Sequence, residues 1–215
     1  LQRRNPGLAS RMNLLPNPLV LHSAKEDAIG WPVTSEVPAF IAVCRLVPQK
    51  GIDLLVEAYA ALSPAIHGQW RLLIIGDGPE RAALEQRTSD LQLAERIHFL
   101  GFQPDPSRYF HDAEVFVLPS RFEGMPNALL EAMGSGLAPI VSDASPGPLE
   151  VVSDERSGLV VPSGSIPALT TAMERLATDA ALRRQLGQTA AATMRQQSWS
   201  ALDQCWRDVL ALPSA

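Results

Sequence analysis

Two glutamates, Glu123 and Glu131, stand on either side of a Gly-Met-Pro-Asn turn in the stretch SRFEGMPNALLEAMGSG. Pro126 and Asn127 within this turn predict the start of a helix. The first N–H groups of a helix have no partner inside it and carry partial positive charge, so they can bind oxygens of a phosphate or a sugar. A carboxylate beside them would instead accept hydrogen bonds from neutral hydroxyls, such as a ribose diol. Taken alone, the pattern is explained equally well without a ligand: one glutamate would be solvated, and the other would only interact favourably with the helix dipole.

Two cations follow the first predicted strand. Arg45 is expected at the end of that strand, and Lys50 comes just before Gly51, where another helix is predicted to start. Cations beside a helix start form a binding site for an anion such as a phosphate. By itself this stretch is also compatible with ordinary surface charges in water, so the prediction depends on whether the two motifs meet.

The order of the predicted elements decides whether they meet. From residue 38 onward, short apolar runs alternate with helical patterns, which is typical of βαβ units, and six strands can be counted. Residues 72–75 and 115–118 are apolar at consecutive positions, as in strands buried on both faces of a parallel sheet. After residue 165 the pattern is helical only. The sequence therefore predicts an α/β fold, a Rossmann-like, doubly wound sheet of six parallel strands with extra C-terminal helices.

In such a sheet, ligands bind at the carboxyl ends of the strands, where both motifs are predicted to lie. The stretch GDGPER at the end of the second strand looks like a dinucleotide-binding glycine loop, but Arg81 replaces the third glycine and the loop follows the wrong strand. Pro79 instead predicts the first turn of a helix. A dehydrogenase is therefore disfavoured, and a serine hydrolase has no support because no Gly-x-Ser-x-Gly motif occurs.

Composition narrows the possible partners. The chain has 215 residues, 46% of them hydrophobic, and a net charge of −5, which disfavours binding to nucleic acid. No run of about 18 apolar residues is present, so any membrane association is expected to be peripheral. Cys44 and Cys205 are too few for a disulfide framework or a zinc site, and they favour a reducing, cytoplasmic location. The four histidines are scattered and no Asp-x-Asp follows a strand, so no metal is expected.

Several motifs in combination make the sequence recognisable, among them RLVPQKGIDLLVEAYAAL, LLIIGDGPE, IHFLGF and DAEVFVLPSRFEGMPNALLEAMGSGLAPIVSD. The Arg…Lys-Gly element together with two glutamates separated by seven residues, E-x7-E, is highly specific. Over nearly its whole length the chain resembles the carboxyl-terminal, donor-binding domain of the retaining GT-B glycosyltransferases of family 4, also called group 1. The resemblance implies an enzyme that moves a sugar from a nucleotide-sugar to an acceptor.

The resemblance also implies roles for individual residues. Arg45 and Lys50 would hold the donor diphosphate and assist departure of the leaving group, and Glu123 would contact the transferred sugar. Glu131 would bind the ribose, and residues 100–102 would lie beside the base. The expected donor-binding residues are Leu100, Phe102, Gly124, Met125, Pro126, Asn127, Ala128 and Glu131.

The sequence departs from this family at two places. Met125 stands where the family often has phenylalanine, in a position that shapes the sugar pocket. The stretch SDASPGPLEVV departs from the frequent Gly-Gly-x-x-Glu form, so the resemblance does not carry the role of the family's glutamate over to Glu150.

The implied reaction is transfer of a hexose or N-acetylhexosamine in polysaccharide or lipopolysaccharide biosynthesis. A UDP-sugar is the favoured donor and a GDP-sugar the second option, with a glycan or a lipid-linked acceptor. No cofactor or metal is expected, because Arg45, Lys50 and the helix start can meet the charge of the diphosphate. Two alternatives stay open: a non-catalytic module that binds a nucleotide-sugar, and a nucleotide-sugar epimerase on the GT-B plan.

Three segments are predicted: a proline-containing connector at residues 1–37, the nucleotide-sugar-binding domain at residues 38–197, and a C-terminal helix at residues 198–215. The last helix is expected to pack against an amino-terminal domain that binds the acceptor and is missing from this chain. Because the chain starts at Leu1 without a leader pattern, we expect a piece of a longer protein that binds the donor but transfers nothing.

Overall fold

The computed structural model of the protein describes residues 37–196, which form one parallel sheet with helices on both faces. The four inner strands are short, largely apolar runs covered on both sides, which is why the runs are continuous rather than alternating. The strands are β1 (Ala39–Val43), β2 (Arg71–Ile75), β3 (Ile97–Gly101), β4 (Val115–Leu118), β5 (Ala138–Ser142) and β6 (Leu159–Val161).

The strands lie in the order β3-β2-β1-β4-β5-β6, and every neighbouring pair is parallel. The chain moves outward from β1 to β3 and then returns to the other side of β1 with β4. This confirms the predicted six-stranded, doubly wound sheet. The pairing of Phe40 with Val115 and of Ile41 with Phe116 is called the β1–β4 junction below. In open α/β sheets the ligand crevice lies at such a reversal of strand order.

Helices connect the strands and follow the last one. Within the described residues the α-helices are α1 (Ile52–Ala60), α2 (Pro64–Gln69), α3 (Arg81–Asp90), α4 (Asn127–Gly134), α5 (Pro146–Val151), α6 (Ile166–Thr178) and α7 (Ala180–Arg195). In this same part of the chain, two 3-10 helices occupy Pro48–Lys50 and Pro106–Asp112.

The two faces of the sheet have separate cores. On one face α1 packs against α6, and Leu55 and Met173 are fully buried there. On the other face α4 packs against α7, with Leu129 and Met194 fully buried. Each such side chain stabilises the fold by roughly 1.5–3 kcal/mol. Because the helices cover both faces, the strand ends are the places left for ligand binding.

The predicted helix boundaries are mostly confirmed. The helix α4 begins at Asn127, directly after Pro126, as predicted. The placement of Pro79 in the first turn of a helix is wrong, because α3 begins only at Arg81. The Arg81 N–H donates to the backbone oxygen of Gly78, three residues earlier, so Pro79 and Glu80 form a turn before the helix starts.

Some predictions fall outside the part of the chain that the structure describes. The connector at residues 1–37 is one of them, except for Val37, and the C-terminal helix at residues 198–215 is the other. Between residues 37 and 196, none of the helices has the length and apolar character that crossing a bilayer requires.

Candidate functional site

The candidate site lies at the carboxyl ends of β1 and β4, where residues 44–51 meet residues 119–126. Gly51 makes this meeting possible. It precedes α1 in the left-handed conformation, with φ at 66°. A Cβ atom at this position would stand 2.4 Å from the backbone oxygen of Pro119. Only glycine combines that conformation with so close an approach of two backbones.

Lys50 and Glu123, to which the resemblance assigns different parts of the ligand, contact each other directly. The Lys50 Nζ atom lies 2.7 Å from Glu123 Oε1. The Glu123 side chain is 7% exposed and that of Lys50 is 21% exposed, so this ion pair is largely shielded from water. The structure therefore places the predicted phosphate-binding cation and the predicted sugar-binding carboxylate in one cluster.

Three buried serines hold the loop that carries Glu123. Ser120 Oγ donates to Glu123 Oε1 at 2.7 Å, and Ser145 Oγ accepts the Glu123 N–H at 2.9 Å. Ser142 Oγ donates to the backbone oxygen of Ser120. None of the three serines was predicted from the sequence. The sequence feature that could have predicted them is the presence of serines at or just after the ends of β4 and β5, two neighbouring apolar strands.

Arg121 fastens the two loops to each other and was also missed. Its guanidinium donates two hydrogen bonds to the Asp53 carboxylate, at 2.8 and 2.7 Å, and a third to the backbone oxygen of Pro48. The backbone N–H of Arg121 donates to the backbone oxygen of Gln49. The hydrogen bonds from Arg121 hold the pKa of Asp53 below its usual value. Asp53 lies in the first turn of α1, so this contact joins α1 to the loop after β4.

The start of α4 has the features predicted for an anion site. Pro126 precedes the helix and has no side chain that caps it. The first hydrogen bonds to the Pro126 carbonyl come from Leu129 onward, so the N–H groups of Asn127 and Ala128 lie ahead of the helical ladder. Glu131 lies one turn into the helix and is half-buried.

The turn before α4 is supported by α5. A Cβ atom on Gly147 would lie 1.7 Å from the backbone oxygen of Gly124, so glycine lets α5 lie against this turn. Gly124 itself is exposed, whereas Met125 is half-buried and packs against the core on the α4 face. The contact with α5 therefore fixes the turn, while Gly124 stays accessible to a ligand.

The remaining predicted site residues lie at or just after the carboxyl ends of β1 and β3, at the same edge of the sheet. Arg45 is exposed, two residues after the end of β1. At the end of β3 the register with β2 shifts, and Gly101 adopts φ 69°. Beyond it, Phe102 is 75% exposed, whereas Leu100 is half-buried against the core. An exposed aromatic ring at a strand end offers a flat face on which a nucleotide base can stack.

Chemically, the cluster offers a cation, helix N–H groups and carboxylates at one edge of the sheet. These groups suit a ligand that combines phosphate charge with hydroxyl groups. Among residues 37–196, no group of three or more His, Cys, Asp or Glu side chains is arranged to hold a metal ion. The cations described at this edge are Lys50 in the cluster, the exposed Arg45, and Arg121, which is paired with Asp53.

Cys44 lies beside the Lys50–Glu123 pair and is expected to react slowly with alkylating reagents. Burial raises the pKa of the Cys44 thiol to about 12, with Lys50 lowering it and Glu123 raising it to smaller extents. The ordinary thiol pKa is 9.0, so the reactive thiolate at pH 8 should be roughly 1000-fold scarcer than in an open peptide. Iodoacetamide labelling of a Cys205→Ser variant, followed by mass spectrometry, measures this rate. Labelling as fast as that of the unfolded chain would contradict the placement of this thiol.

The fold and the cluster together define a Rossmann-like domain whose candidate site lies where the strand order reverses. The sequence profile of the family "Glycosyl transferases group 1" matches residues 25–193, and the chain belongs to this family. Its six-stranded sheet is the carboxyl-terminal domain fold of GT-B glycosyltransferases, as predicted.

Individual relatives agree with this assignment. The lipopolysaccharide core biosynthesis glycosyltransferase LpsE of Rhizobium meliloti (strain 1021) is 32% identical over 178 residues, which are 82% of this chain and 51% of LpsE. The crystal structure of Anabaena HepE in complex with UDP superposes with a TM-score of 0.75 at 23% identity, covering 82% of this chain and 49% of that one. The carboxyl-terminal domain of the group 1 family protein LpcC from Francisella tularensis gives 0.66 at 25% identity, covering 74% and 87%. The chain thus spans about half the length of LpsE and of HepE.

Proposed function

We propose that this chain is the donor-binding part of a glycosyltransferase that moves a sugar from a nucleotide-sugar with retention of configuration. The observation that carries the proposal is the contact of Lys50 with Glu123 beside the uncapped start of α4. Family membership supports glycosyl transfer, and the UDP bound in HepE supports a UDP-sugar as the favoured donor, with a GDP-sugar as the second option.

In the proposed reaction, cleavage of the bond between the sugar and the β-phosphate leaves negative charge on the diphosphate. Arg45 and Lys50, together with the N–H groups of α4, stabilise that charge, so the scheme requires no metal. Such fixed donors act most strongly where water is excluded. Glu123 orients the hydroxyls of the transferred sugar, Glu131 binds the ribose, and Phe102 lies beside the base.

The acceptor is proposed to be a glycan or a lipid-linked sugar bound by an amino-terminal domain, since this chain spans only about half of LpsE. Transfer requires a positioned acceptor and a crevice closed to water. We therefore expect the chain by itself to bind the donor without transferring a hexose or an N-acetylhexosamine. The cytoplasmic location and any peripheral association with a membrane stay predictions.

A thermal-shift panel tests donor binding directly. UDP-, GDP- and ADP-sugars are added to the 215-residue chain, and one base series should raise its unfolding temperature. A ligand at 100 times its dissociation constant adds about 2.7 kcal/mol to the free energy of unfolding, which is readily measured. If no series changes the unfolding temperature at millimolar concentration, the proposed donor site is wrong.

Glu131→Ala is expected to weaken binding of the nucleoside diphosphate by about 1.5–3 kcal/mol, because a carboxylate that accepts hydrogen bonds from the ribose is lost. Alanine is a strong helix former, so α4 should persist. Calorimetric titration measures the change. Inorganic pyrophosphate, which has no ribose, provides the control and should bind the variant and the wild type alike. Equal affinity of both proteins for the nucleoside diphosphate would remove Glu131 from the ribose site.

A further inference from the structure

The Lys50 ammonium already has a well-placed anionic partner. Glu123 Oε1 lies 2.7 Å from Nζ, and Ser120 Oγ donates to the same oxygen. The Glu123 N–H is fixed to Ser145 Oγ. The carboxylate is therefore held by its own loop, independently of Lys50. Any phosphate that binds Lys50 must share the ammonium with this carboxylate or replace it.

Two ligands differ in the charge that they bring to this place. The terminal phosphate of a nucleoside diphosphate is a monoester with a second pKa of about 6, so it carries nearly two negative charges at pH 7.5. The corresponding phosphate of a nucleotide-sugar is esterified to the sugar and carries one. The nucleotide-sugar also brings hydroxyl groups, which can donate to a carboxylate.

We infer that Glu123 is a specificity-determining residue that lowers the affinity of this site for the released nucleoside diphosphate more than for the nucleotide-sugar. The inference rests on the proposed function and adds to it discrimination between donor and product. When a free terminal phosphate pairs with Lys50, the largely buried Glu123 carboxylate loses its cation. The phosphate and the carboxylate then lie close together and repel each other. A sugar-esterified phosphate meets a smaller repulsion, and the sugar hydroxyls give Glu123 new partners.

Glu123→Gln tests the inference because it removes the charge while keeping the shape and an oxygen that accepts the Ser120 hydrogen bond. The probes are the nucleoside diphosphate among UDP, GDP and ADP that binds the wild type most tightly, and its glucose conjugate. We expect the variant to bind the bare nucleoside diphosphate about 10-fold more tightly, as for the loss of a close like charge. Affinity for the glucose conjugate should change less than about 3-fold or fall. A structural defect would weaken both ligands. Circular dichroism checks the fold, and Glu123→Ala serves as a second variant.

Asp143→Asn is the matched control. Asp143 follows β5 at the same edge of the sheet and accepts the Ser163 N–H, a role that asparagine keeps. It removes one negative charge from this edge without touching Lys50, and it should leave both affinities within about 2-fold. Equal tightening in Asp143→Asn would show a general effect of net charge and overturn the inference.

The remaining outcomes distinguish a failure of the Glu123 inference from a failure of the proposed donor-binding function. If the wild type binds a nucleoside diphosphate and Glu123→Gln binds it equally or more weakly, Glu123 does not discriminate, while the donor site stands. If neither the wild type nor the Glu123 variants bind any of the three nucleoside diphosphates, the donor site and the inference both fall.

Discussion

Replacing Arg45 or Lys50 with alanine is expected to weaken binding of a nucleoside diphosphate roughly 10- to 100-fold. A hydrogen bond between a charged donor and a phosphate contributes about 1.5–3 kcal/mol, whereas removal of a solvated surface charge would change binding little. The magnitude therefore distinguishes a diphosphate clamp from the ordinary surface charges that the sequence also allows. Calorimetric titration of the two variants with UDP, GDP and ADP measures it.

The two variants differ in their side effects. Lys50→Ala leaves the Glu123 carboxylate, which is 7% exposed, without its cation, so the unfolding temperature must be measured beside the affinity. Arg45 is exposed, and Arg45→Ala is the cleaner test. A nucleoside without phosphate should bind both variants like the wild type, and EDTA should leave diphosphate binding by the wild type intact. The metal-free clamp is wrong if both variants bind the diphosphate normally, or if EDTA abolishes binding.

Gly51→Ala is expected to lower the free energy of unfolding by about 2–5 kcal/mol. An alanine in the left-handed region costs about 1–2 kcal/mol, and forcing atoms into a packed contact costs a further 1–3 kcal/mol or so. Here the new Cβ would lie 2.4 Å from the backbone oxygen of Pro119. The loops that carry Lys50 and Glu123 must then separate, so donor binding should weaken as well. Urea denaturation and calorimetry measure the two effects.

Gly164→Ala separates the two causes. Gly164 also has a positive φ, 77°, but a Cβ atom there would meet nothing within 4 Å. It should therefore show only the conformational cost of about 1–2 kcal/mol and leave ligand binding unchanged. Equal destabilisation by the two substitutions would mean that the Gly51 contact with Pro119 contributes nothing.

Much of the fold follows from local pattern. Apolar runs such as residues 72–75 and 115–118 are typical of strands covered on both faces, and their alternation with helical patterns makes the six parallel strands and the doubly wound class predictable. The start of α4 follows from Pro126, whose missing N–H suits a helix start. Pro79 shows the limit of that rule, because a proline also suits a turn: the Arg81 N–H bonds the Gly78 oxygen, and α3 begins two residues after the proline.

The contacts within the candidate site were not predictable in the same way. Lys50 and Glu123 are 73 residues apart in sequence, and their contact depends on which strand lies next to β1. The resemblance gives each of them a role toward the ligand but says nothing of their contact with each other. Ser120 and Ser145 act through hydrogen bonds to a single loop, and serine is too common after strands to be singled out by type.

The β1–β4 junction has a consequence for how the protein folds. It divides the sheet into β1–β3 and β4–β6, each of which can pair its strands over short stretches of chain. Joining the halves requires closure of a long loop, an entropically slow step, so we expect the junction to form late. During synthesis, one edge of β1 stays unpaired until β4 has been made. Lys50 belongs to the first half and Glu123 to the second, so a nucleotide that binds both loops can bind only after the halves have joined. Because such a ligand binds only the joined state, it would shift the folding equilibrium toward that state.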